Sequence, residues 1–462
     1  MTRETQTGAI GTVTTPLKLS KLTIFGYGLG DLGSNMTWST TTTFLLFFYT
    51  DVFGLAAASV GILFVVARVV DAITDPLMGL ITERVQTRWG KFRPYLLFGA
   101  PFLSGLLILT FTVPELNDGG KLVYAYITYI ALGLVYTATT LPYGALSTTM
   151  TQDPIERNTL SVVRTISALI GGGLIVSVLT PVLVENLGGG SAARGWQMTA
   201  IVFAGISLIC LWLTFALCKE RFVSPRVNKL SLRDLMGLVF KNKPFLLLAL
   251  ALLLSSSSLS IREAASIYFV TYNMAQPDLL GAFLGASVLA LLVGLIIGQI
   301  VARKVGKRNN MLIGSTGSVV CIAIFYFIPT TSTVALISVN AFSTGFLGLA
   351  FSLIWSLISD TVEYSEWQTG IRAEGGIYSV ASFMFKLAAA IAGGVPAAIL
   401  AWTNYVPNVE QTALALNGIR SLMSTIPFVL GIATLIPLYL YRLDEAMFNR
   451  ILEDLAERKK DT

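Results

Sequence analysis

Apolar positions in this chain do not alternate with polar ones on any surface period. They run together for about 20 residues or more, then give way to short joints rich in Gly, Pro, Lys and Arg. A run of about 20 apolar residues, coiled as a helix, crosses the ~30 Å hydrocarbon core of a bilayer. In lipid a segment must satisfy its own backbone hydrogen bonds, so each such run is a helix. The pattern predicts about twelve spans, near residues 22–50, 56–82, 95–114, 121–149, 159–185, 196–217, 243–273, 278–304, 309–329, 332–362, 374–403 and 415–441. The expected class is an all-α polytopic membrane protein with two six-helix halves, residues 22–217 and 243–441. A charged central loop, 218–242, divides them, and tails 1–21 and 442–462 flank them.

The second run contains a conspicuous interruption, GILFVVARVVDAITDPLMGLI. Asp71 and Asp75 are four residues apart and therefore share one helix face. A charge near the bilayer centre costs at least ~2.5–3.5 kcal/mol on insertion scales, and is kept when it faces the protein interior with a partner or a task. One account is a structural ion pair, with Arg68 or Arg164 against Asp71. Another is a cation site, in which the two carboxylates and the hydroxyls of Thr74 and Thr137 supply hard oxygen ligands. A third is a shared proton, since adjacent like charges raise one pKa. Pro76 breaks local helical bonding and would expose carbonyl oxygens nearby.

Composition narrows the function. Only 13% of the 462 residues are charged and 54% are hydrophobic, against a charged share of about 25% in soluble domains. Lys and Arg collect in alternate joints, among them Arg84, Arg88, Lys91, Arg93, Lys304 and Lys307, and in both tails. That bias predicts cytoplasmic termini in a plasma or inner membrane. It also accounts for the net charge of +6 through anionic lipid headgroups, without nucleic acid. The N-terminal segment has no signal-peptide pattern. The chain has no histidine, and Cys210, Cys218 and Cys321 show no metal spacing, which removes histidine proton relays and most zinc chemistry. No catalytic constellation or nucleotide loop is present, which argues against an enzyme and predicts no cofactor beyond a coupling ion. GLITERVQTRWGKFRP and GQIVARKVGKRNN follow the second and eighth runs in similar form. Repeated six-helix halves predict a carrier with its site at the midplane between them.

The motifs FYTDVFGL, VARVVDAITDPLMG, TRWGKFRPYLLFG, YTATTLPYGAL, SDTVEYSEWQTGIRAEG and NYVPNVEQTALALNGIR, in this order over nearly the whole chain, resemble the glycoside-pentoside-hexuronide:cation symporters of the major facilitator superfamily. The resemblance implies uptake of a sugar or glycoside with Na+ or H+ by alternating access, in a functional monomer. It implies that Asp71, Asp75 and Thr137 hold the cation, and that Arg164 and Lys386 face the central cavity. Thr74 stands where the family's melibiose carriers have Asn, which leaves the ion open. Asn35 and Thr140 stand where those carriers hold sugar with carboxylates. Arg262, beside Glu263 in the seventh run, adds a positive charge. The expectation is therefore a positive cavity suited to a uronide, glucuronide or sulfonated sugar, with neutral glycosides such as xylosides as the alternative. If Arg262 pairs with Glu263 or Asp360 instead, it is structural. Trp38, Trp355 and Ser382 complete the expected sugar-facing set. The expected gate sets Arg84, Arg88, Lys91 and Arg93 against Asp153, Glu156, Asp360, Glu363, Glu366 and Glu374 of other cytoplasmic segments, with Arg372 among the gating residues, and its pairs between halves hold the cytoplasmic side shut in the outward-facing state. The run WSTTTTF either lines the cavity or bonds back onto its own helix, and the Gly triplet 171–173 permits close helix contact. A lipid carrier on the same scaffold is a more remote alternative.

Overall fold

The computed structural model describes residues 18–84, 86–222, 232–371, 374–443 and 445–460. The helices are α1 (Lys21–Phe47), α2 (Ala57–Arg84), α3 (Arg93–Thr110), α4 (Asp118–Met150), α5 (Pro154–Ala168), α6 (Ser177–Gly188), α7 (Ala192–Leu217), α8 (Leu232–Lys241), α9 (Lys243–Tyr268), α10 (Leu280–Val305), α11 (Lys307–Phe327), α12 (Thr333–Phe351), α13 (Ile354–Thr369), α14 (Glu374–Trp402), α15 (Ala413–Met423), α16 (Thr425–Leu440) and α17 (Glu445–Lys460). No strand forms among the described residues. Wider turns carry α1 on through Phe48–Val52, α5 into α6 through Leu169–Val176, and α9 through Phe269–Asn273.

Eleven spans among the described residues are long and apolar enough to cross a membrane. The twelfth is α1, 27 residues long but diluted by its glycines and threonines. Its Thr40, Thr41 and Thr42 hydroxyls donate back to the carbonyls of Met36 and Trp38, whereas Ser39 and Thr43 of the polar run WSTTTTF line a cavity between the halves. Several helices start where the sequence supplies a cap. Asn117 accepts from Gly120 N, Asp153 from Ile155 N just before Pro154, and Asn242 from Phe245 N. Asn242 also donates to the Thr361 carbonyl at 2.7 Å, which ties α9 to α13.

α2 shows how an apolar helix accommodates its carboxylates. Ile62, Val65, Val69, Ile73 and Leu77 are exposed and recur every three or four residues, so one stripe faces lipid. Arg68, Asp71 and Asp75 lie off that stripe, towards α4 and α14. The helix continues unbroken through position 76 to Arg84.

Helices α1–α7 form one half and α9–α16 the other, with seams where α2 meets α14, α1 meets α9 and α6 meets α10. Small residues close these seams. A Cβ on Gly393 of α14 would lie 2.6 Å from Phe64 of α2, and one on Gly285 of α10 2.8 Å from Val178 of α6. One apolar core runs from the first half into Ile261, Phe269, Phe283 and Ile419 of the second, at the end remote from the chain termini. Near the termini the second half has a separate core around Phe245, Leu357, Ile377 and Ile451. The halves are thus cemented at the remote end. The segments expected to be a loop and a tail contain α8 and α17. α17 docks on α13 through Trp367, whose indole donates to Asp454 at 2.8 Å while Arg458 donates to its carbonyl at 2.9 Å.

Candidate functional site

Among the described residues, four cationic and four acidic side chains cluster towards the middle of the spans, Arg68, Arg164, Arg262 and Lys386 with Asp31, Asp71, Asp75 and Glu263. On α2, Arg68 bonds Asp71 at 2.9 Å and the Tyr129 hydroxyl at 2.9 Å. Its guanidinium lies over the Trp38 ring at 5.0 Å, and Trp38 stacks on Tyr136 at 5.0 Å. Of the two structural partners expected for Asp71, the structure selects Arg68. A cavity of about 20 Å³, lined by Asp71, Thr37, Thr41 and Gly133, opens beside the pair. That is room for one water-sized occupant.

Asp75 is bridged from both sides. The Thr137 hydroxyl donates to Oδ1 at 2.9 Å, and the Lys386 ammonium from α14 donates to Oδ2. Lys386 belongs to the other half, so this ion pair crosses the seam. Thr74 donates to the Val70 carbonyl at 3.0 Å on its own helix. Of the expected oxygen ligands, the structure joins Thr137 to Asp75, and the protein's own cations sit against the two carboxylates.

The sequence reasoning missed Asp31. This residue is buried on α1, and its carboxylate meets Arg164 Nε at 3.3 Å. Arg164 also lies over the Tyr143 ring at 5.3 Å. Asp31 is one turn before Asn35, so α1 carries its carboxylate a turn nearer the termini than the family's sugar position. An ionisable residue inside the first apolar run was the available signal. With Asp31 included, Arg68, Arg164, Arg262 and Lys386 face Asp31, Asp71, Asp75 and Glu263. The expected surplus of positive charge is absent from this set.

Arg262 is buried in the second half. Its guanidinium donates to Ser343 Oγ at 2.6 Å and to Asn340 Oδ1, while Nε has no hydrogen-bond partner. Asp360 is not its partner, because that carboxylate binds Lys307 at 2.7 Å. Arg262 and Glu263 line a cavity of about 60 Å³ between the halves, together with Ser39, Ser177, Ser287 and Asn340.

The remaining expected sugar contacts divide. Asn35 donates to the Asp31 carbonyl at 2.9 Å, and Thr140 to the Tyr136 carbonyl at 2.8 Å. Trp355 is 47% exposed and stacks on Tyr378 with ring centroids 6.0 Å apart. Ser382 is exposed one turn before Lys386 on α14. Trp38 is engaged by Arg68 and Tyr136 and is less open than Trp355.

Of the basic residues expected to gate the terminal face, Arg88 and Arg93 make contacts within their own half in this conformation. Arg93 donates to the Phe215 carbonyl at 2.6 Å, and Arg88 stacks on Trp89 at 4.1 Å. Asp360 is held by Lys307. Glu363 lies on α13. The Arg84 side chain and all of Arg372 lie outside the described residues.

Twelve spans in two halves, with opposed charges at the midplane, make a carrier architecture, and comparison with known proteins decides the family. A profile of the family described as MFS/sugar transport protein matches residues 26–445. The isoprimeverose transporter of Lactiplantibacillus pentosus is 36% identical over 439 residues, covering 94% of this chain and 91% of that protein. This chain is a major facilitator sugar transporter of the glycoside-pentoside-hexuronide family. The glucuronide carrier protein homolog of Escherichia coli (strain K12) is 34% identical, covering 96% of the transporter and 97% of that protein. The crystal structure of nucleoside transporter NupG shares the fold, with a TM-score of 0.64 at 15% identity over 91% of the transporter and 98% of that chain. The transporter is a multi-pass membrane protein, not an enzyme, and its substrate is a small sugar or glycoside carried by symport.

Proposed function

We propose that the transporter imports a glycoside together with one coupling cation, Na+ or H+, across a bacterial inner membrane, with both termini cytoplasmic, as a functional monomer. The observation that carries this reading is Asp75, shared between Thr137 of its own half and Lys386 of the other. A carboxylate that takes a lysine in one state can take a coupling ion in another. When the ion arrives, Lys386 is released towards the cavity, where Ser382 lies one turn away. When ion and sugar have left, Lys386 neutralises Asp75 and the empty carrier returns. With cytoplasmic termini, the conformation seen here is inward-facing, because the remote end is the sealed one. The expected pairs between Arg84, Arg88 or Arg93 and the acidic residues of α13 belong to the opposite state.

The proposed substrate carries an acidic group, as in a uronide, glucuronide or sulfonated sugar. The charge count gives no support for this, since the midplane set is balanced. Support comes from Arg262 alone, a guanidinium held by neutral oxygens with Nε unpartnered, at the wall of the larger cavity. Arg offers carboxylates and sulfonates two parallel donors. Trp355 and Ser382 are the open surfaces for the sugar ring, and Arg164, Asn35 and Thr140 line its approach along α1, α4 and α5. For a neutral sugar, one cation moved through about 100 mV releases ~2.3 kcal/mol, or roughly fifty-fold accumulation. An acidic sugar with one cation crosses electroneutrally and draws on the ion gradient alone.

Uptake into proteoliposomes tests this, with an imposed Na+ or pH gradient and matched neutral and acidic glycosides. Asp75→Asn is expected to abolish gradient-driven accumulation while exchange of sugar persists. Accumulation at the parent rate in that variant refutes the coupling site. Uptake of neutral glycosides only, unchanged in Arg262→Gln, refutes the acidic substrate.

A further inference from the structure

Asp51 ends the first span, within the wide turns Phe48–Val52, and is only 8% exposed. Its carboxylate accepts from the Tyr405 hydroxyl at 2.5 Å, the Thr50 hydroxyl at 2.6 Å and the Tyr272 hydroxyl. Its backbone carbonyl accepts from Asn408 Nδ2 at 2.7 Å. Around it, the Asn408 amide donates to the Tyr272 oxygen at 3.0 Å, and the Thr50 and Tyr268 hydroxyls are 2.8 Å apart. Tyr268 and Tyr272 end the first span of the second half, whereas Tyr405 and Asn408 lie in the loop between α14 and α15. That loop turns through Asn404 and Asn408 at φ 53° and 59°, left-handed conformations that Asn adopts more readily than most residues. One residue of the first half is therefore bonded to three residues of the second, from two of its elements, and the aromatic rings of Tyr268, Tyr272 and Tyr405 pack edge to face around it.

We propose that Asp51 is the latch residue of the remote gate, and that its ionised carboxylate sets the balance between the two access states of the carrier. Thr50 aside, every donor to Asp51 belongs to the opposing half. When the remote end opens, the halves part there and these bonds exchange for water. The chemistry suits a reversible closure. A carboxylate and phenols trade protein donors for water at a modest net difference per bond, whereas an apolar seam of the same extent would have to wet its whole surface at each turnover. Burial and the neighbouring Asp51 charge push the Tyr405 phenol far above its ordinary pKa, so it remains a donor. Asp51 does not reach the ion or sugar groups of the midplane. It acts through the position of the halves.

The test reads sidedness and needs neither sugar nor ion, so it stands apart from the proposed substrate and coupling. Ser177→Cys, on the wall of the larger cavity, serves as reporter in a chain with Cys210, Cys218 and Cys321 replaced by serine. Its labelling by a membrane-impermeant maleimide is followed in right-side-out and inside-out vesicles. Asp51→Asn is expected to speed labelling from the remote side about tenfold, because a neutral amide oxygen holds the two phenols on Oδ1 less tightly than a carboxylate does, a difference on the order of one bond between two states, and to slow it from the terminal side. Tyr272→Phe with Tyr405→Phe keeps the carboxylate, removes its cross-half phenols and is expected to give the same shift. Adding Asp51→Asn to that pair should bring little more, because the variants remove shared bonds. Unchanged remote-side rates in inserted protein, for Asp51→Asn or for the tyrosine pair, overturn the proposal. So does equal acceleration from both sides, which reports loosened packing and not a latch.

Discussion

Lys386→Gln isolates the contest between the protein's own cation and the transported one. In the structure, the Lys386 ammonium sits on Asp75 Oδ2, with side-chain exposures of 37% and 19% for the two residues. Exposed ion pairs contribute about 0–1 kcal/mol, and hydrogen bonds to charged groups about 1.5–3 kcal/mol. This half-buried pair falls in the lower part of the second range, at ~2 kcal/mol. An incoming ion must displace the lysine, so its apparent dissociation constant is raised by the inverse of the unpaired fraction. Two kilocalories correspond to about thirtyfold. Lys386→Gln is therefore expected to tighten cation binding about thirtyfold, whereas Lys386→Arg, which keeps the charge, changes it little. Titration of purified carrier by calorimetry or tryptophan fluorescence measures this directly, because Trp38 lies beside the Arg68–Asp71 pair. The same variant should lose net symport yet retain sugar exchange, since the empty carrier no longer has a cation for its return. Cation affinity that is unchanged or weaker in Lys386→Gln refutes the competition between lysine and ion.

Three further outcomes follow from the geometry. Arg164→Gln leaves Asp31 buried without its partner and is expected to destabilise the carrier by about 1–3 kcal/mol, read by thermal unfolding in detergent. The double variant with Asp31→Asn should recover part of that loss. Gly172→Val would place a Cβ 2.4 Å from Ser39 Oγ and 3.0 Å from the Asn35 carbonyl, which forces α1 away from the turns joining α5 to α6. Folded yield should collapse, while Gly205→Ala, with open space at its position, should express normally. Trp355→Ala is expected to change stability by less than ~0.5 kcal/mol but to raise KM for glycosides, whereas Trp38→Ala, packed between Arg68 and Tyr136, should lose about 3 kcal/mol or more of stability.

The spans and the membrane class could be read from the sequence because hydrocarbon imposes a local rule. Each run of sufficient length must close its own hydrogen bonds, and that requirement needs no knowledge of neighbours. The pairing of Asp71 with Asp75 on one face followed from helical spacing for the same reason, and the family followed from long ordered motifs. α8 and α17 fall outside the apolar runs, where this rule gives no signal. Which cation meets which carboxylate was another matter. Arg68 and Arg164 were both available to Asp71, and only the approach of α1 to α5 sends Arg164 to Asp31 instead. Lys386 is 311 positions from Asp75, and the packing of α2 on α14 alone brings them together. The apparent surplus of positive charge dissolved in the same way, since net charge at a site is a property of helices assembled around it. Asp51 lay in plain view in FYTDVFGL, yet its three phenolic and amide partners come from elements more than 200 residues away. Periodicity acts along one helix and specifies which face is polar. Long-range charge pairing depends on the rotation and contact of different helices, which only the folded arrangement of the two halves decides.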